Sequence, residues 1–343
     1  MSSDNKDYIL YLNKEEVVKI CKTLDPIKII KEAFKLHGTG NTILPDEAYL
    51  SWINKEQESA RSLNMPSFIG GKYQIAGTKI INGNISNFKR GIERASGLTM
   101  LFDTLTAKIM CIMEGAYISS LRTASVTALG INLLRKKDWN KKIGLVGLGT
   151  IGKAHLELLE NHLKTIRNIY IFDLSATSIE KFTEKFENLR DKFIIARSPQ
   201  EAIINSDIVI TATTTSTGYI PYNWLRKGSL VIHVSLDDLL PDAIAKADKL
   251  IVDNWNLVKN DNKRIFGRMF KDDLLAGLDK SHGKLPFIYA ELAEVVLNKK
   301  PGRENEEEII VFNPFGLAIE DIAIAYQVYL KAIHQMIGTK LKR

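Results

Sequence analysis

The hydrophobic positions of this chain keep one rhythm up to residue 140 and another beyond it. Residues 8–12 read as a short apolar strand, and Asn13 with Glu16 three residues on has the spacing of a capping box that starts a helix. Asp25-Pro26 opens a second helix with proline in its first turn, and Gly38 ends it. From Arg61 to Glu114 the pattern becomes strand-like, with runs at 67–69, 73–82, 97–103 and 107–113 separated by Gly, Asn and Asp turns. Strands so closely spaced predict an antiparallel or mixed sheet. The stretch 115–136 is helical, with apolar residues at Ile118, Leu121, Val126, Leu129 and Leu133. From Lys141 strands and helices alternate, with strands at 143–147, 168–173, 192–196, 207–212, 229–234 and 249–253. That alternation predicts a doubly wound parallel sheet. A helix from Glu291, a polar turn around Pro301, a last strand at 309–313 and a last helix at 316–336 complete the reading.

The predicted class is therefore α/β: a Rossmann-type doubly wound parallel sheet inserted into an α+β substrate and dimerisation domain. Residues 1–122 form the first part of the substrate domain and 123–315 the dinucleotide domain, while 316–343 return to the substrate domain. A length of 343 residues suits two domains, and 45% hydrophobic with 25% charged residues is ordinary globular composition. The net charge of +7 comes from lysines scattered among glutamates, with no basic arm, so nucleic acid is not an expected partner. The positive balance does suit a small anionic substrate. Cys21 and Cys111 make no disulfide framework, and Cys111 sits in an apolar run where a buried, inert thiol is the default. Residues 1–7 are too polar for a signal peptide, and no apolar run spans a bilayer, which predicts a cytoplasmic protein that does not engage membranes.

The densest chemical signal is the stretch Ile143-Gly-Leu-Val-Gly147-Leu-Gly149-Thr150-Ile151-Gly152, a strand running through Gly-x-Gly-x-x-Gly into an amphipathic helix. Gly147 permits the tight turn, Gly149 lets backbone amides approach a pyrophosphate, and Gly152 lets helix and strand pack closely. The free amides of Thr150 and Ile151, at the positive helix end, face the phosphates. Asp173 ends the next strand at the distance where an acid accepts bonds from ribose hydroxyls, and no Arg follows it closely, so NAD is expected over NADP.

Ligands of such sheets sit beyond the carboxyl ends of the strands. Thr213, in the hydroxyl-rich run after the fourth strand, and Ser235, after the fifth, are candidate cofactor contacts. Asp237 and Asp238 follow Ser235; both carboxylates would face the crevice, where one acts as a base on water, unless they lie in a solvated turn. Lys79 interrupts an apolar strand, so it belongs either to an exposed edge or to a site with a perturbed pKa. Arg122 lies among small and apolar residues of a helix, where its planar fork suits a substrate carboxylate or an ion pair with another helix. Arg94 is a weaker candidate of the same kind. Six dispersed histidines show no metal-ligand spacing, and no metal is expected.

These landmarks, together with Met65-Pro66, Met113-Glu-Gly-Ala-Tyr-Ile-Ser-Ser-Leu-Arg122, Lys299-Lys-Pro-Gly-Arg303 and Phe312-Asn-Pro-Phe-Gly-Leu-Ala-Ile-Glu-Asp321, resemble the ornithine cyclodeaminase and mu-crystallin superfamily along nearly the whole chain. The runs Ile92-Glu-Arg-Ala-Ser-Gly97 and Met65-Pro-Ser-Phe-Ile-Gly-Gly71 resemble its branch of 2,3-diaminopropionate biosynthesis dehydrogenases. That resemblance implies a homodimer formed through the substrate domains. It also implies NAD-dependent oxidation of N-(2-amino-2-carboxyethyl)-L-glutamate, with ketimine hydrolysis to 2,3-diaminopropionate and 2-oxoglutarate in siderophore or antibiotic biosynthesis. In that scheme Arg122 holds a substrate carboxylate, Lys79 polarises a carboxylate or the imine or relays protons, and Asp237 or Asp238 activates water. Sister activities on the same scaffold are the alternatives: ornithine cyclodeaminase, alanine dehydrogenase, ketimine reductase, or a mu-crystallin-like ligand-binding protein. The Gly-Asp-x-Pro-Gly-Lys turn of the cyclodeaminases is replaced here by Leu-Asp-Asp-Leu-Leu-Pro, and Leu63 stands where they carry Glu, which disfavours ornithine cyclisation.

Overall fold

The computed structural model describes residues 8–137, 139, 142–162, 165–235, 237–278 and 285–342. The segment 1–7, read above as too polar for a signal peptide, lies outside the described residues. The chain divides into two compact units, Met1–Arg122 with Gly316–Arg343, and Thr123–Phe315.

The first unit opens with β1 (Tyr8–Leu12), α1 (Lys14–Cys21) and α2 (Pro26–Gly38). The Asn13 and Glu16 side chains form the reciprocal capping box, and Asp25 caps α2 through the Lys28 amide. There follow β2 (Thr42–Ile43), β3 (Ala48–Ile53), β4 (Ser59–Ile69), β5 (Ile75–Asn84), β6 (Ala95–Phe102) and β7 (Ile109–Glu114). The helix α3 (Ala116–Leu134) carries the chain across the boundary at Arg122.

The strands of the second unit are β8 (Lys142–Val146), β9 (Asn168–Phe172), β10 (Phe193–Ile195), β11 (Ile208–Thr211), β12 (Leu230–His233), β13 (Lys249–Val252), β14 (Ile288–Glu291) and β15 (Ile310–Asn313). Interleaved with them are α4 (Thr150–His162), α5 (Ala176–Lys185), α6 (Pro199–Ile204), α7 (Pro241–Ala245), α8 (Trp255–Asn260), α9 (Ile265–Lys271) and α10 (Leu292–Val296). The chain then returns to the first unit as α11 (Ala318–Gln335) and β16 (Thr339–Lys342).

The first unit holds a mixed sheet in the order β16-β1-β7-β6-β5-β4-β2, with β3 also pairing β4. Only the β1–β7 pairing is parallel. The apolar faces of α2 and α11 bury Ile30, Phe34, Ile319 and Ile322 in this unit's core, with Ile69, Ile75, Leu101 and Met113 from the sheet. Both cysteines are buried free thiols, and burial pushes each up to about 12, as inert cysteines require.

The second unit holds an eight-stranded sheet, all parallel, in the order β10-β9-β8-β11-β12-β15-β13-β14. This is the predicted doubly wound sheet. The strand order reverses between β8 and β11, which is where such folds open a ligand crevice. Its central strands are buried on both faces, as their unbroken apolar runs require. The strand read as the last, 309–313, is β15 and inserts beside β12, while β16 is the true final strand. Among the described residues no helix is long and apolar enough to cross a membrane.

Candidate active site

The candidate residues fall into two groups, one in each unit. In the first unit Lys79 stands mid-strand in β5, which pairs on both sides with β4 and β6, so it is no edge residue. Its side chain is fully buried, and its ammonium donates to Asp321 at 2.8 Å and to the Ser119 hydroxyl at 3.1 Å. Burial lowers Lys79 to about 8, against the opposing pull of the Asp321 carboxylate; the Arg122 charge adds to the lowering. Arg122, from α3, donates to Glu320 at 2.9 Å and lies 3.4 Å from Asp321. It therefore makes the helix-to-helix ion pair that its position allowed.

Glu320 and Asp321 fill the first turn of α11, where the helix dipole favours negative charge. Gly316, at φ +95°, turns the chain into that helix; a Cβ there would lie 2.2 Å from an Arg122 guanidinium nitrogen. Only glycine lets the arginine close over the start of α11. Arg94 does not join this group and is exposed near the start of β6.

Glu320, Asp321 and Ser119 were not foreseen as working residues. Their signal was present: two adjacent acids inside the apolar run Leu317-Ala-Ile-Glu-Asp-Ile322, where unpaired charge is untenable.

In the second unit the glycine-rich turn joins β8 to α4 as predicted. Gly147 sits at φ +94°, and Cβ atoms at Gly147 and Gly152 would fall 2.6 Å and 2.2 Å from backbone oxygens. At Gly149, by contrast, a Cβ would meet no protein atom within 4 Å. Gly149 and Thr150 are exposed and Ile151 is half-buried, so the turn presents its backbone to an open space. Asp173 accepts the Leu148 amide at 2.8 Å and the Ser175 amide at 2.9 Å, which fixes its carboxylate beside the turn. Each of its oxygens keeps a lone pair for a further donor. His155, fully buried and lowered to about 4 by burial, bonds the Ile151 carbonyl and the Thr127 hydroxyl and so anchors α4 to α3.

Beyond β11 and β12 the structure corrects the expectation of two carboxylates facing a crevice. Asp238 is fully buried and accepts from three hydroxyls: Thr213 at 2.8 Å, Tyr219 at 2.9 Å, and Ser235. Burial raises its pKa, and those three donors oppose the rise. The Ser235 oxygen also lies 2.9 Å from the Thr211 hydroxyl, so with its proton on Asp238 the side chain is committed inward and only its backbone can face a ligand. Thr213 likewise spends its proton on Asp238. His233, buried and pushed down to about 3 by burial, is neutral; its Nε2 accepts the Asp238 amide at 3.2 Å, and Nδ1 lies 3.1 Å from the Asn313 amide.

Asp237 turns the other way and is also largely buried, paired with Arg268 at 2.6 Å. It lines a recess of about 220 Å³ with Gly218, Leu239, Ile265, Arg268 and Met269. The adjacent acids thus do different work: Asp238 knots the loops after β11 and β12 together, and Asp237 borders open volume. Tyr219 and Arg268, the partners that decide this, carry no recognisable spacing in the sequence.

The profile of the ornithine cyclodeaminase/mu-crystallin family matches residues 10–335. The chain is 33% identical over 339 residues to N-((2S)-2-amino-2-carboxyethyl)-L-glutamate dehydrogenase of Staphylococcus aureus, covering 97% of this chain and 98% of that relative. It is similar to the solved structure of Thermococcus litoralis Δ1-pyrroline-2-carboxylate reductase with NADH and L-proline, at TM-score 0.85 and 28% identity over 96% and 99% of the two chains. An archaeal alanine dehydrogenase dimer with bound NAD matches at TM-score 0.83 and 25% identity over 98% and 99%.

Proposed function

The chain belongs to the ornithine cyclodeaminase/mu-crystallin family, and from that premise we propose that it is an NAD-dependent oxidoreductase acting on the CH–NH bond of an N-substituted amino acid. The specific substrate in this reading is N-(2-amino-2-carboxyethyl)-L-glutamate, cleaved to 2,3-diaminopropionate and 2-oxoglutarate for siderophore or antibiotic synthesis. End-to-end likeness to the Staphylococcus aureus dehydrogenase of that compound carries the reading.

The residues present fit the dinucleotide. Gly149 leaves its approach clear, the first turn of α4 offers the Thr150 and Ile151 amides, and Asp173 is fixed where ribose hydroxyls can donate to it. When bound, NAD⁺ supplies a hydride acceptor for the substrate carbon that carries the amine. Arg122, held in one orientation by Glu320 and Asp321, receives a substrate carboxylate. Lys79 exchanges a proton with the substrate nitrogen. Asp237, which borders open volume, activates the water that attacks the ketimine, while Asp238 holds Ser235, Thr213 and Tyr219 in position.

Incubation with NAD⁺ and the glutamate conjugate should yield 2-oxoglutarate and 2,3-diaminopropionate by mass spectrometry. Turnover of ornithine or alanine in its place would move the chain to a sister activity. Arg122→Ala should raise the KM for the conjugate by about a hundredfold, the equivalent of about 2.7 kcal/mol, with little change in NAD affinity. Undiminished turnover by that variant would remove Arg122 from the scheme.

A homodimer through the first unit belongs to the same reading. One sheet face leaves Leu50 62%, Trp52 44% and Leu98 44% exposed, and the strand register aligns all three on that face. An apolar sheet face so open marks an interaction surface. Leu98→Asp should convert a dimer to monomer in analytical ultracentrifugation. A monomeric wild type, or a variant that stays dimeric, contradicts this arrangement.

A further inference from the structure

The sheet face that carries Lys79 continues past it in two further rungs, and their composition changes in order. Met65, Lys79 and Thr99 lie side by side on β4, β5 and β6; next come Leu63, Ile81 and Gly97; then Arg61, Gly83 and Ala95. The first rung is buried. The second and third are only half-buried, so the face opens as it leaves Lys79. Four residues of strand separate Lys79 from Gly83, about 13 Å between the Cα positions. Along that span a cation is followed by an apolar floor and then by a second cation.

Arg61 lies across Gly83. A Cβ built on that glycine would stand in ordinary contact, 3.8 Å from Arg61 Nε and 3.5 Å from the Arg94 carbonyl, so the Arg61 side chain packs directly over the bare backbone of Gly83. Partial desolvation depresses the pKa of Arg94, and the nearby Arg61 charge depresses it further. Two neighbouring guanidiniums repel each other. Among the described residues neither is in a salt bridge, because the nearby acids are taken: Glu58 by Arg90 at 2.8 Å and Glu93 by Lys14 at 2.6 Å. Arg122 and Lys79, in contrast, already have carboxylates. The uncompensated positive charge at the open end of this face therefore stands at Arg61, with Arg94 nearby just before β6, and an anion that entered there would remove a like-charge repulsion.

We propose that Arg61, assisted by Arg94, determines specificity by receiving a second, distal carboxylate of the substrate, whose methylene segment lies over Leu63 and Ile81. The ligand class is an amino acid that carries a carboxylate at the far end of a short chain. Arg61 supplies the planar fork that such a group takes bidentately. The proposal rests on the reading that substrate binds at Lys79 and Arg122, and it gives a physical reason for a glutamate-derived substrate.

The test compares wild type with Arg61→Gln and Arg61→Lys on the glutamate conjugate and on its distal amide, made from glutamine. Arg61→Gln should raise KM for the acid about a hundredfold with kcat nearly unchanged. It should leave the amide's KM where it was, and Arg61→Lys should recover part of the loss. An acid-to-amide preference that survives Arg61→Gln overturns the proposal. Calorimetry with L-glutamate and L-glutamine on the NAD-loaded proteins gives a readout independent of turnover. If wild type fails to oxidise the conjugate, yet binds glutamate over glutamine and loses that preference in Arg61→Gln, the substrate assignment falls and the carboxylate site stands. If wild type shows no preference for glutamate, the site falls.

Discussion

Replacing Lys79 by Arg should lower kcat/KM by about a hundredfold to ten-thousandfold, the range that a positioned proton acceptor contributes. Arginine keeps a positive charge beside Asp321, so the ion pair survives, but it cannot give up its proton near neutral pH. A lysine lowered to about 8 can. Amine oxidation requires an unprotonated nitrogen, so kcat/KM of the wild type should rise with pH, pass half its maximum near pH 8 and level off above it. The Lys79→Arg chain should lack that limb, and a variant that kept the wild-type profile would exclude Lys79 from proton transfer. Stability should follow the same group. Between about 8 and 10.5 the unfolded chain holds more protons on this lysine than the folded one. Folding is therefore favoured as pH climbs through that window. Below pH 8 the full cost of charging the buried amine remains. Wild-type Tm should accordingly gain relative to Lys79→Arg between pH 8 and 10.

Gly149→Val should weaken NAD binding by about a hundredfold, about 2.7 kcal/mol, while the melting temperature stays within a few degrees of wild type. A Cβ at this position has open space around it, on the side from which a pyrophosphate would approach. Gly152→Val makes the opposite comparison, because a Cβ there overlaps the Gly147 carbonyl and should unfold the turn itself. Isothermal titration with NAD⁺ beside thermal melts separates the two. A Gly149→Val chain that binds NAD⁺ normally would place the pyrophosphate elsewhere.

The parts of this fold that were legible in its sequence are those whose signals are local. The β8 turn into α4 needs glycines at fixed offsets, the caps of α1 and α2 are complete within four residues, and β11 to β13 are short apolar runs bounded by turns. The missed strands depend on their pairing partners and carry no alternation of their own. All six residues of β3 are exposed, so no alternation marks it; only its pairing with β4 makes it a strand. The lysine-rich β16 exists because β1 lies beside it, more than 300 residues earlier in the chain. The same division holds at the site. Lys79 and Arg122 stood out as charges in apolar surroundings. Their counter-ions lie about 200 residues or more away, on a helix whose periodicity marks it only as core. Asp237 and Asp238 look equivalent as neighbours, and only the hydroxyls around one and the guanidinium beside the other distinguish them.

The return of α11 and β16 to the first unit has a consequence for synthesis on the ribosome. Every strand of the parallel sheet lies within 142–313, so that sheet has all its pieces before residue 318 is added. The mixed sheet emerges earlier but lacks its outermost strand and the acids opposite Lys79 and Arg122 until the last few dozen residues appear. A nascent chain halted before Glu320 would have to keep two cations hydrated and the helix-covered sheet face bare. Lys79 and Arg122 thus wait about 200 residues or more of further synthesis for the acids that neutralise them.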